Sequence, residues 1–347
     1  MTKAYDSIRP IRWENDQLVL MDQRLLPQQE TLLRYSDIAS VAKAITDMVV
    51  RGAPAIGVTA AYGIVLAARD QYARSPESWQ ANIKNDLESL AAARPTAVNL
   101  FWAIKHMSKC IEVVSGDPYD ALLQEAHAIL QEDIEANYKM GELGASLLTD
   151  KSKVITHCNA GALATGGYGT ALGVIRAAHE QGKIQQVFAD ETRPWLQGVR
   201  LTAWELQKEG IPVTVLAEGA AAMLMRQEKL AWVIVGSDRI AANGDVANKI
   251  GTYSLAVNAK RHGVKVMVVA PTSTIDMEMA CGDDIPIEFR SENELLSLAG
   301  QNMAPENVHA WNPVFDVTPA ELVDAIVTER GIVHKPNAAK ISGLMSS

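Results

Sequence analysis

Between residues 153 and 270 the sequence repeats one pattern, in which a short apolar run is followed by a turn and then by a segment long enough for a helix. The helix-length segments include 170–179, 195–209 and 249–262. Strands that alternate with helices in this way predict an α/β fold with a doubly wound, mostly parallel sheet. The predicted strands are 153–158, 186–190, 212–216, 232–236 and 265–270, with 285–289 as a sixth candidate.

The first part of the chain lacks this alternation. Residues 11–14, 18–21 and 31–35 predict a small antiparallel β meander. From Asp37 to about residue 150, apolar residues recur at helical spacing. Because 347 residues is long for one domain, we expect two. We predict a smaller, mainly helical N-terminal domain with the meander over residues 1–125, and the α/β domain over 126–347.

The charge balance argues against two classes of partner. Lysine and arginine number 32 and aspartate and glutamate 41, so the formal net charge is −9. Because general nucleic-acid binders and proteins of anionic membranes usually carry a basic field, we expect no nucleic acid and no membrane as partner. The polar first residues lack the apolar run of a signal peptide, and the three cysteines suggest no disulfide framework. We therefore expect a cytoplasmic location.

The longest uncharged stretch, 158–175, contains five glycines. We interpret it as a glycine-rich loop followed by a helix rather than as a membrane span. The backbone N–H groups of the loop, 161–169, would be able to approach a phosphate closely. The loop matches neither the dinucleotide-binding fingerprint nor a P-loop, so tight packing remains the alternative explanation of its glycines.

Polar or ionisable residues follow most of the predicted strands. Cys158, Asp190, Glu218, Asp238 and Thr272 stand at or just after the strand ends. Ligands of doubly wound sheets bind beyond the carboxyl ends of the strands. The pattern therefore favours an active site at this edge of the sheet.

Cys158 and Asp238 are the strongest catalytic candidates. Cys158 leads into the glycine loop before a helix N-terminus, a setting that favours the thiolate, although an inert buried cysteine is the alternative. Asp238 follows a buried strand, where loss of water favours proton donation by the carboxyl group, although an aspartate that caps a turn is the alternative. We interpret His157 as structural because it would point to the opposite face of a regular strand. Cys110 and Cys281 have no comparable setting.

A second candidate for anion binding lies at residues 51–57. Pro54 suits the first turn of a helix, so the N–H groups before it and the Arg51 guanidinium would be able to bind one phosphate. A helix–helix turn with a solvated arginine is the alternative.

The sequence shows no motif for a bound metal or for a serine nucleophile. No spacing among its histidines, cysteines and acidic residues resembles a zinc or haem site. No nucleophile-elbow motif is present. The residues by themselves therefore indicate neither a zinc or haem site nor a serine nucleophile.

Four segments resemble, in order, the motifs of one family. The segments are RGAPAIG at 51–57, CNAGALAT at 158–165, ETRPWLQG at 191–198 with RLTAWE at 200–205, and GSDRIAANGDVANK at 236–249. They resemble the methylthioribose-1-phosphate isomerases of methionine salvage, part of methionine biosynthesis. The resemblance continues to residues 312–319, so it covers nearly the whole chain.

This resemblance implies a homodimeric aldose–ketose isomerase with a Rossmann-like catalytic domain and no metal or cofactor. Its substrate would be the sugar phosphate 5-methylthioribose 1-phosphate, and its product 5-methylthioribulose 1-phosphate. The family's catalytic cysteine falls on Cys158 and its acidic proton donor on Asp238. The family's substrate-binding positions fall on Arg51, Gly52, Ala53, Arg94, Gln197, Asn248 and Lys249.

The implied chemistry agrees with the candidates chosen from the strand ends. We hypothesise that Asp238 protonates the ring oxygen of the sugar and that the Cys158 thiolate moves a proton from C2 to C1. A direct hydride shift is the alternative. In either case Arg51, Arg94 and Lys249 would hold the phosphate and the sugar hydroxyls.

The same residues are compatible with two other functions. The regulatory subunits of translation initiation factor 2B resemble the C-terminal part of the chain, and they are binding proteins. The intact pair of Cys158 and Asp238 favours the enzyme, because a non-catalytic scaffold does not need it. An isomerase of ribose 1,5-bisphosphate would use the same chemistry on a sugar with a phosphate at its 5-position.

Overall fold

The computed structural model describes residues 4–298 and 300–346. Contacts among these residues separate two compact units. The first unit extends to Lys139 and includes the later segment Ala160–Gly173. The second unit consists of Met140–Asn159 and the chain from Val174 onward.

The first unit combines an antiparallel meander with long helices. The three strands pair in the order β1-β2-β3, as the sequence predicts. Helix α2 is the central element, since its residues from Ala55 to Ala68 are buried on every side. The elements are β1 (Ile11–Glu14), β2 (Gln17–Met21), β3 (Leu32–Tyr35), α1 (Ile38–Thr46), α2 (Ala53–Arg74), α3 (Trp79–Ala92), α4 (Val98–Val113) and α5 (Tyr119–Ala145), the last of which ends in the second unit.

The second unit is built on a seven-stranded sheet. Its strands are β4 (Ser152–Thr156), β5 (Ile184–Asp190), β6 (Val213–Leu216), β7 (Leu230–Val235), β10 (Lys265–Val269), β15 (Ala325–Thr328) and β16 (Gly331–His334). They lie in the order β16-β15-β10-β7-β4-β5-β6, and only the pairing of β15 with β16 is antiparallel. The predicted α/β fold with a mostly parallel sheet is therefore confirmed.

A smaller four-stranded sheet and several helices complete the described part of this unit. The small sheet has the strand order β11-β8-β9-β14. All four of its strands follow β7 in the sequence. A two-stranded ribbon, β12-β13, stands apart from both sheets. These elements are β8 (Arg239–Ala241), β9 (Val246–Lys249), β11 (Ile275–Asp276), β12 (Ser297–Leu298), β13 (Gln301–Asn302), β14 (Phe315–Thr318), α6 (Ala171–Glu180), α7 (Ala203–Lys208), α8 (Ala221–Gln227), α9 (Thr252–His262), α10 (Asn293–Leu296) and α11 (Ala338–Ser346).

One predicted strand is wrong and another was not predicted. Residues 285–289 form no strand, and only Phe289 makes an isolated bridge to Pro313. Pro286 lies within this run and has no N–H to donate to a neighbouring strand. The sixth strand of the sheet that runs parallel to its neighbour is instead β15, which pairs with β10.

The uncharged stretch 158–175 is a loop that leads into helix α6, as predicted. It includes a short helical turn at Ala162–Ala164. Across residues 4–298 and 300–346, no helix has both the length and the apolar character needed to cross a membrane.

Candidate active site

Cys158 occupies a strained position just after β4. Its φ angle is 60°, in the left-handed region that residues other than glycine rarely adopt, and its side chain is buried. Its N–H donates to Thr192 Oγ1 at 2.9 Å, and its carbonyl oxygen accepts from Thr202 Oγ1 at 2.6 Å. Two threonine side chains therefore hold the backbone of Cys158 in this conformation.

A buried ionic network holds the next residue, Asn159. Its Nδ2 donates to Glu205 Oε1 at 2.9 Å. The other oxygen of Glu205 accepts from Arg176 at 2.9 Å, and Glu209 pairs with Arg176 at 2.6 Å. Burial alone would lower the pKa of Arg176, but the charges of Glu205 and Glu209 outweigh it, so the pKa is raised and the guanidinium stays charged. Asn159 is thus anchored inside the second unit.

His157 links three segments of the second unit from a fully buried position. Its Nδ1 lies 2.9 Å from Asp190 Oδ2 at the end of β5, and its Nε2 donates to the Ile250 carbonyl oxygen at 2.8 Å. Burial alone would lower the pKa of His157, but the hydrogen bond and charge of Asp190 outweigh it and raise the pKa. A Cβ at Gly251 would lie 2.8 Å from the ring, so the chain after β9 packs directly on the histidine.

Asp238 lies between β7 and β8 and is half-buried. Its N–H donates to the Ala247 carbonyl oxygen at 3.0 Å, which places its backbone beside β9. Ser237 Oγ donates to the same carbonyl oxygen at 3.2 Å. The turn that carries the carboxyl group is therefore fixed by backbone contacts to the neighbouring strand.

The last residues of β9, Asn248 and Lys249, are both buried. Asn248 Nδ2 donates to Thr252 Oγ1 at 3.0 Å, and Lys249 Nζ lies 4.7 Å from the centre of the Phe315 ring. Asp316 accepts hydrogen bonds from the N–H groups of the chain that follows β9. The strand that carries Lys249 is thereby tied to β14 and to the start of α9.

Gln197 combines burial with an unused acceptor. Its side chain is 7% exposed, and its Oε1 has no hydrogen-bond partner among the residues that the structure describes. A buried acceptor without a partner is costly, so this oxygen is available to accept a hydrogen bond from a water molecule or a ligand. The next residue, Gly198, lies so close to the Asp190 carbonyl oxygen that a Cβ would be 1.6 Å from it. This contact determines the course of the chain between β5 and α7.

The second unit therefore contains five of the candidate residues, all in segments that follow or border the carboxyl ends of its parallel strands. They are Cys158, Gln197, Asp238, Asn248 and Lys249. Thr192, Thr202 and Asn159 support Cys158, and the sequence analysis missed them. The only signal for them was their place in the segments that resemble family motifs.

The other four candidates lie in the first unit. Arg51 is half-buried and precedes Gly52 and Ala53 at the start of α2, with Pro54 in the first turn as predicted. Gly52 has a φ of 101°, and a Cβ there would lie 2.6 Å from Ala164 of the glycine loop, within the same unit. Arg94 is half-buried in the connection between α3 and α4.

The glycine loop is buried from Gly161 to Thr170, and at least five of its N–H groups already donate hydrogen bonds, three of them to carbonyl oxygens of the loop itself. The Gly166 N–H donates to Asp133 Oδ2 at 2.7 Å, and the Gly167 N–H donates to Thr165 Oγ1 at 3.2 Å. These two groups are therefore not donors to a substrate. The packing explanation of the glycines applies at least to this part of the loop.

One group of side chains outside these segments could hold a metal ion. In the described part of the chain, the only such group of at least three histidine, cysteine or acidic residues is His106, Cys110 and Glu125. Its third residue comes from a different helix, so spacing along the sequence does not reveal the group.

Comparison with known proteins places the chain in a family. A sequence model of the Initiation factor 2 subunit family matches residues 49–335. A protein named methylthioribose-1-phosphate isomerase from Thioalkalivibrio sulfidiphilus is 59% identical over 342 residues, which cover 99% of this chain and 98% of that protein. A protein of the same name from Pseudomonas aeruginosa is 58% identical over 349 residues, with coverage of 99% and 97%.

Solved structures agree with these relatives. The structure of 5-methylthioribose 1-phosphate isomerase from Pyrococcus horikoshii is 44% identical and has a TM-score of 0.92, and the alignment covers 99% of this chain and 97% of that chain. A structure described as translation initiation factor eIF-2B, subunit delta, from A. fulgidus is 42% identical with a TM-score of 0.88, over 98% of this chain and 100% of that chain. The resemblance seen in the four motifs is confirmed: the chain belongs to the Initiation factor 2 subunit family and, within it, to the methylthioribose-1-phosphate isomerases, and it is an isomerase.

Proposed function

We propose that this protein converts 5-methylthioribose 1-phosphate to 5-methylthioribulose 1-phosphate, with Cys158 and Asp238 as the acid/base pair. The observation that carries the proposal is identity of 58–59% to relatives of that name over 99% of the chain. The strained, doubly anchored backbone of Cys158 supports its role, because such strain is concentrated at functional positions.

The substrate determines what the two residues must do. Its C1 carries a phosphate ester, so opening of the ring cannot give a free aldehyde. Asp238 donates a proton to the ring oxygen as the bond between that oxygen and C1 breaks. The Cys158 thiolate removes the proton from C2, and the electron pair of that C–H bond forms the double bond between C1 and C2.

The second half of the reaction restores both residues. Cys158 returns its proton to C1, and the C2 hydroxyl loses its proton to the Asp238 carboxylate to become the ketone. Atoms and charges therefore balance without a cofactor. Arg51, Arg94 and Lys249 bind the phosphate and the sugar hydroxyls in this proposal, together with Gly52, Ala53 and Asn248. The unused Oε1 of Gln197 accepts a hydrogen bond from a substrate hydroxyl.

The direct test is an activity assay of the purified protein and four variants. We expect turnover of 5-methylthioribose 1-phosphate, and a fall in kcat of at least about a hundredfold in both Cys158→Ser and Asp238→Asn. The matched controls Cys281→Ser and Asp283→Asn should keep wild-type activity, since both residues lie outside the candidate segments. Full activity in both of the first two variants would show that the site assignment is wrong.

The same assay separates the other candidate functions. Faster turnover of ribose 1,5-bisphosphate would favour that substrate instead. The specific observation that favours a binding protein is the 42% identity to the eIF-2B-named structure. Absence of turnover of either sugar phosphate by the folded wild-type protein would support this candidate and contradict the isomerisation.

The route of the hydrogen is tested by running the reaction in deuterated water. Exchange of the proton on Cys158 with solvent should place deuterium at C1 of the product. If prolonged incubation with substrate deuterated at C2 leaves all of that deuterium at C1, a hydride shift replaces the proton transfer. The roles of the two residues would then have to be revised, while the overall reaction would stand.

The homodimer that the family resemblance implies remains a proposal. Light scattering on the purified protein should give twice the chain mass of 37.6 kDa. A mass of one chain at assay concentration would contradict it.

A further inference from the structure

Three side chains that commonly bind metals meet on the surface of the first unit, on helices other than α2. His106 and Cys110 lie four residues apart on α4 and therefore share one face of that helix. Glu125 lies on α5. One potential ligand atom from each residue lies within 4.8 Å of the other two, and His106 Nε2 is 2.5 Å from Glu125 Oε1.

The donor set selects the class of metal. An imidazole nitrogen, a thiolate and a carboxylate are the three ligand types that Zn²⁺ uses in proteins, whereas Mg²⁺ and Ca²⁺ take oxygen ligands. Zinc bonds of about 2.0–2.3 Å in a tetrahedron place neighbouring ligand atoms about 3.3–3.8 Å apart. The three ligand atoms lie within 4.8 Å of one another, so their separations are near this spacing.

The surroundings orient the group and leave it accessible. Trp102, one turn before His106, stacks on the imidazole with ring centres 5.2 Å apart, which limits the rotation of that ring. His106 and Glu125 retain exposed side-chain fractions of 38% and 34%. An ion from solvent can therefore enter, and a water molecule can supply a fourth ligand.

The carboxylate of Glu125 adds an attraction for a cation at this position, because opposite charges attract strongly where the surroundings are partly buried.

We propose that His106, Cys110 and Glu125 form a site for Zn²⁺ or a similar thiophilic divalent cation, which joins α4 to α5. The site is separate from the residues assigned to isomerisation, so its ion stabilises the first unit and takes no part in the reaction. Binding releases protons and raises the resistance of the protein to unfolding.

The test uses Co²⁺ as a spectroscopic substitute for zinc on the full-length, metal-free protein. We expect one equivalent of Co²⁺ to produce thiolate-to-cobalt charge-transfer absorption and the intense visible bands of a tetrahedral ion, and Zn²⁺ to abolish both. Cys110→Ser should remove the charge-transfer absorption, while the control Cys281→Ser should keep it. His106→Gln and Glu125→Gln should each weaken the Kd for Zn²⁺ by about tenfold or more.

Two outcomes would overturn the site. Absence of charge-transfer absorption in the wild-type protein excludes a cobalt–thiolate bond, and its persistence in Cys110→Ser assigns the bond to another cysteine. Far-UV circular dichroism and unchanged isomerase activity of Cys110→Ser would show that a loss of signal is not a loss of folding. Because this readout does not depend on turnover, its failure is distinct from failure of the proposed function.

Discussion

At the scale of single residues, the backbone near the candidate acid/base group tolerates few alternatives. Cys158 adopts a left-handed conformation that costs about 1 kcal/mol for a residue with a Cβ and little for glycine. The hydrogen bonds from Thr202 and to Thr192 oppose this cost. A cysteine at a position that suits glycine agrees with a chemical role for the thiol.

The strain at Cys158 leads to a prediction about stability. Both Cys158→Ala and Cys158→Gly should be inactive, but the glycine variant should have the higher free energy of unfolding, by about 1 kcal/mol, because it relieves the left-handed strain. Urea unfolding of the two variants measures the difference. An alanine variant as stable as the glycine variant would show that the strain is negligible.

The contact at Gly198 leads to a second prediction. A methyl group there would lie 1.6 Å from the Asp190 carbonyl oxygen, so Gly198→Ala must displace backbone and should lower the free energy of unfolding by about 3 kcal/mol or more. Gly219→Ala is the matched control, since no heavy atom beyond its own chain neighbours lies within 4 Å of its Cβ position, and it should change stability by less than about 0.5 kcal/mol. Thermal unfolding compares them, and equal effects would contradict the argument.

At the scale of elements, His157 connects the ends of β4 and β5 with the chain after β9. A carbonyl oxygen can only accept, so Nε2 must carry a proton, and Nδ1 faces the carboxylate of Asp190. The raised pKa of His157 agrees with an imidazolium that bonds on both sides. The interpretation of His157 as structural therefore has a specific form: it is a charged link between segments that carry Cys158 and Lys249.

This link gives stability a pH dependence with a definite sign. The folded protein holds the His157 proton more tightly than the unfolded chain, so the stabilisation is complete below about pH 6.5 and is lost as pH rises through the folded-state pKa. In Asp190→Asn the hydrogen bond to the carboxylate and its charge are lost, and only the Ile250 hydrogen bond and the Glu218 charge still oppose burial, so the pKa of His157 falls and low pH stabilises the variant less than wild type. The gap in unfolding free energy between wild type and Asp190→Asn should therefore shrink as pH rises.

Urea unfolding across about pH 5–9 measures this gap. His262→Gln changes an exposed histidine and should leave the wild-type pH profile unaltered. A gap between wild type and Asp190→Asn that widens with pH would contradict a charged His157.

The strands were predictable from the sequence where the pattern that identifies them lies within one segment. Five apolar runs became β4, β5, β6, β7 and β10 because each is bounded by turn residues and pairs within the sheet, although β6 lies at its edge and is partly exposed. Residues 285–289 have the same apolar character, yet they form no strand. Strand β15 has only four residues between acidic neighbours, and its pairing with β10 depends on a contact between segments more than fifty residues apart. Periodicity carries no information on such pairing.

At the scale of the whole molecule, the chain contributes to the two units in alternation. It leaves the first unit after Lys139, returns for Ala160–Gly173, and leaves again. The returning segment is bound within the first unit: Gln23 Nε2 donates to the Leu163 carbonyl oxygen at 2.7 Å, and Asp133 accepts from the Gly166 N–H. The first unit is therefore incomplete without it.

This topology predicts how fragments behave. A fragment of residues 1–139 should lack fixed tertiary structure, as measured by near-UV circular dichroism and rapid proteolysis, because Ala160–Gly173 is missing. Attaching residues 160–173 through a flexible linker should restore the near-UV circular dichroism signal and the resistance to proteolysis. The same fusion with Gly169→Ala should fail, since a Cβ there would lie 2.4 Å from the Gly161 backbone. A well-folded 1–139 fragment would contradict the prediction.

The sequence by itself determined the alternation of strands and helices, the meander, and the positions of Cys158 and Asp238 beyond strand ends, because these depend on local periodicity and on the rule for parallel sheets. Only the tertiary structure decided which side chains from distant segments contact these residues. Thr192 and Thr202 reach Cys158 from 34 and 44 residues away, and Glu125 reaches His106 from another helix. Such contacts arise from packing between segments, which no pattern within one segment encodes.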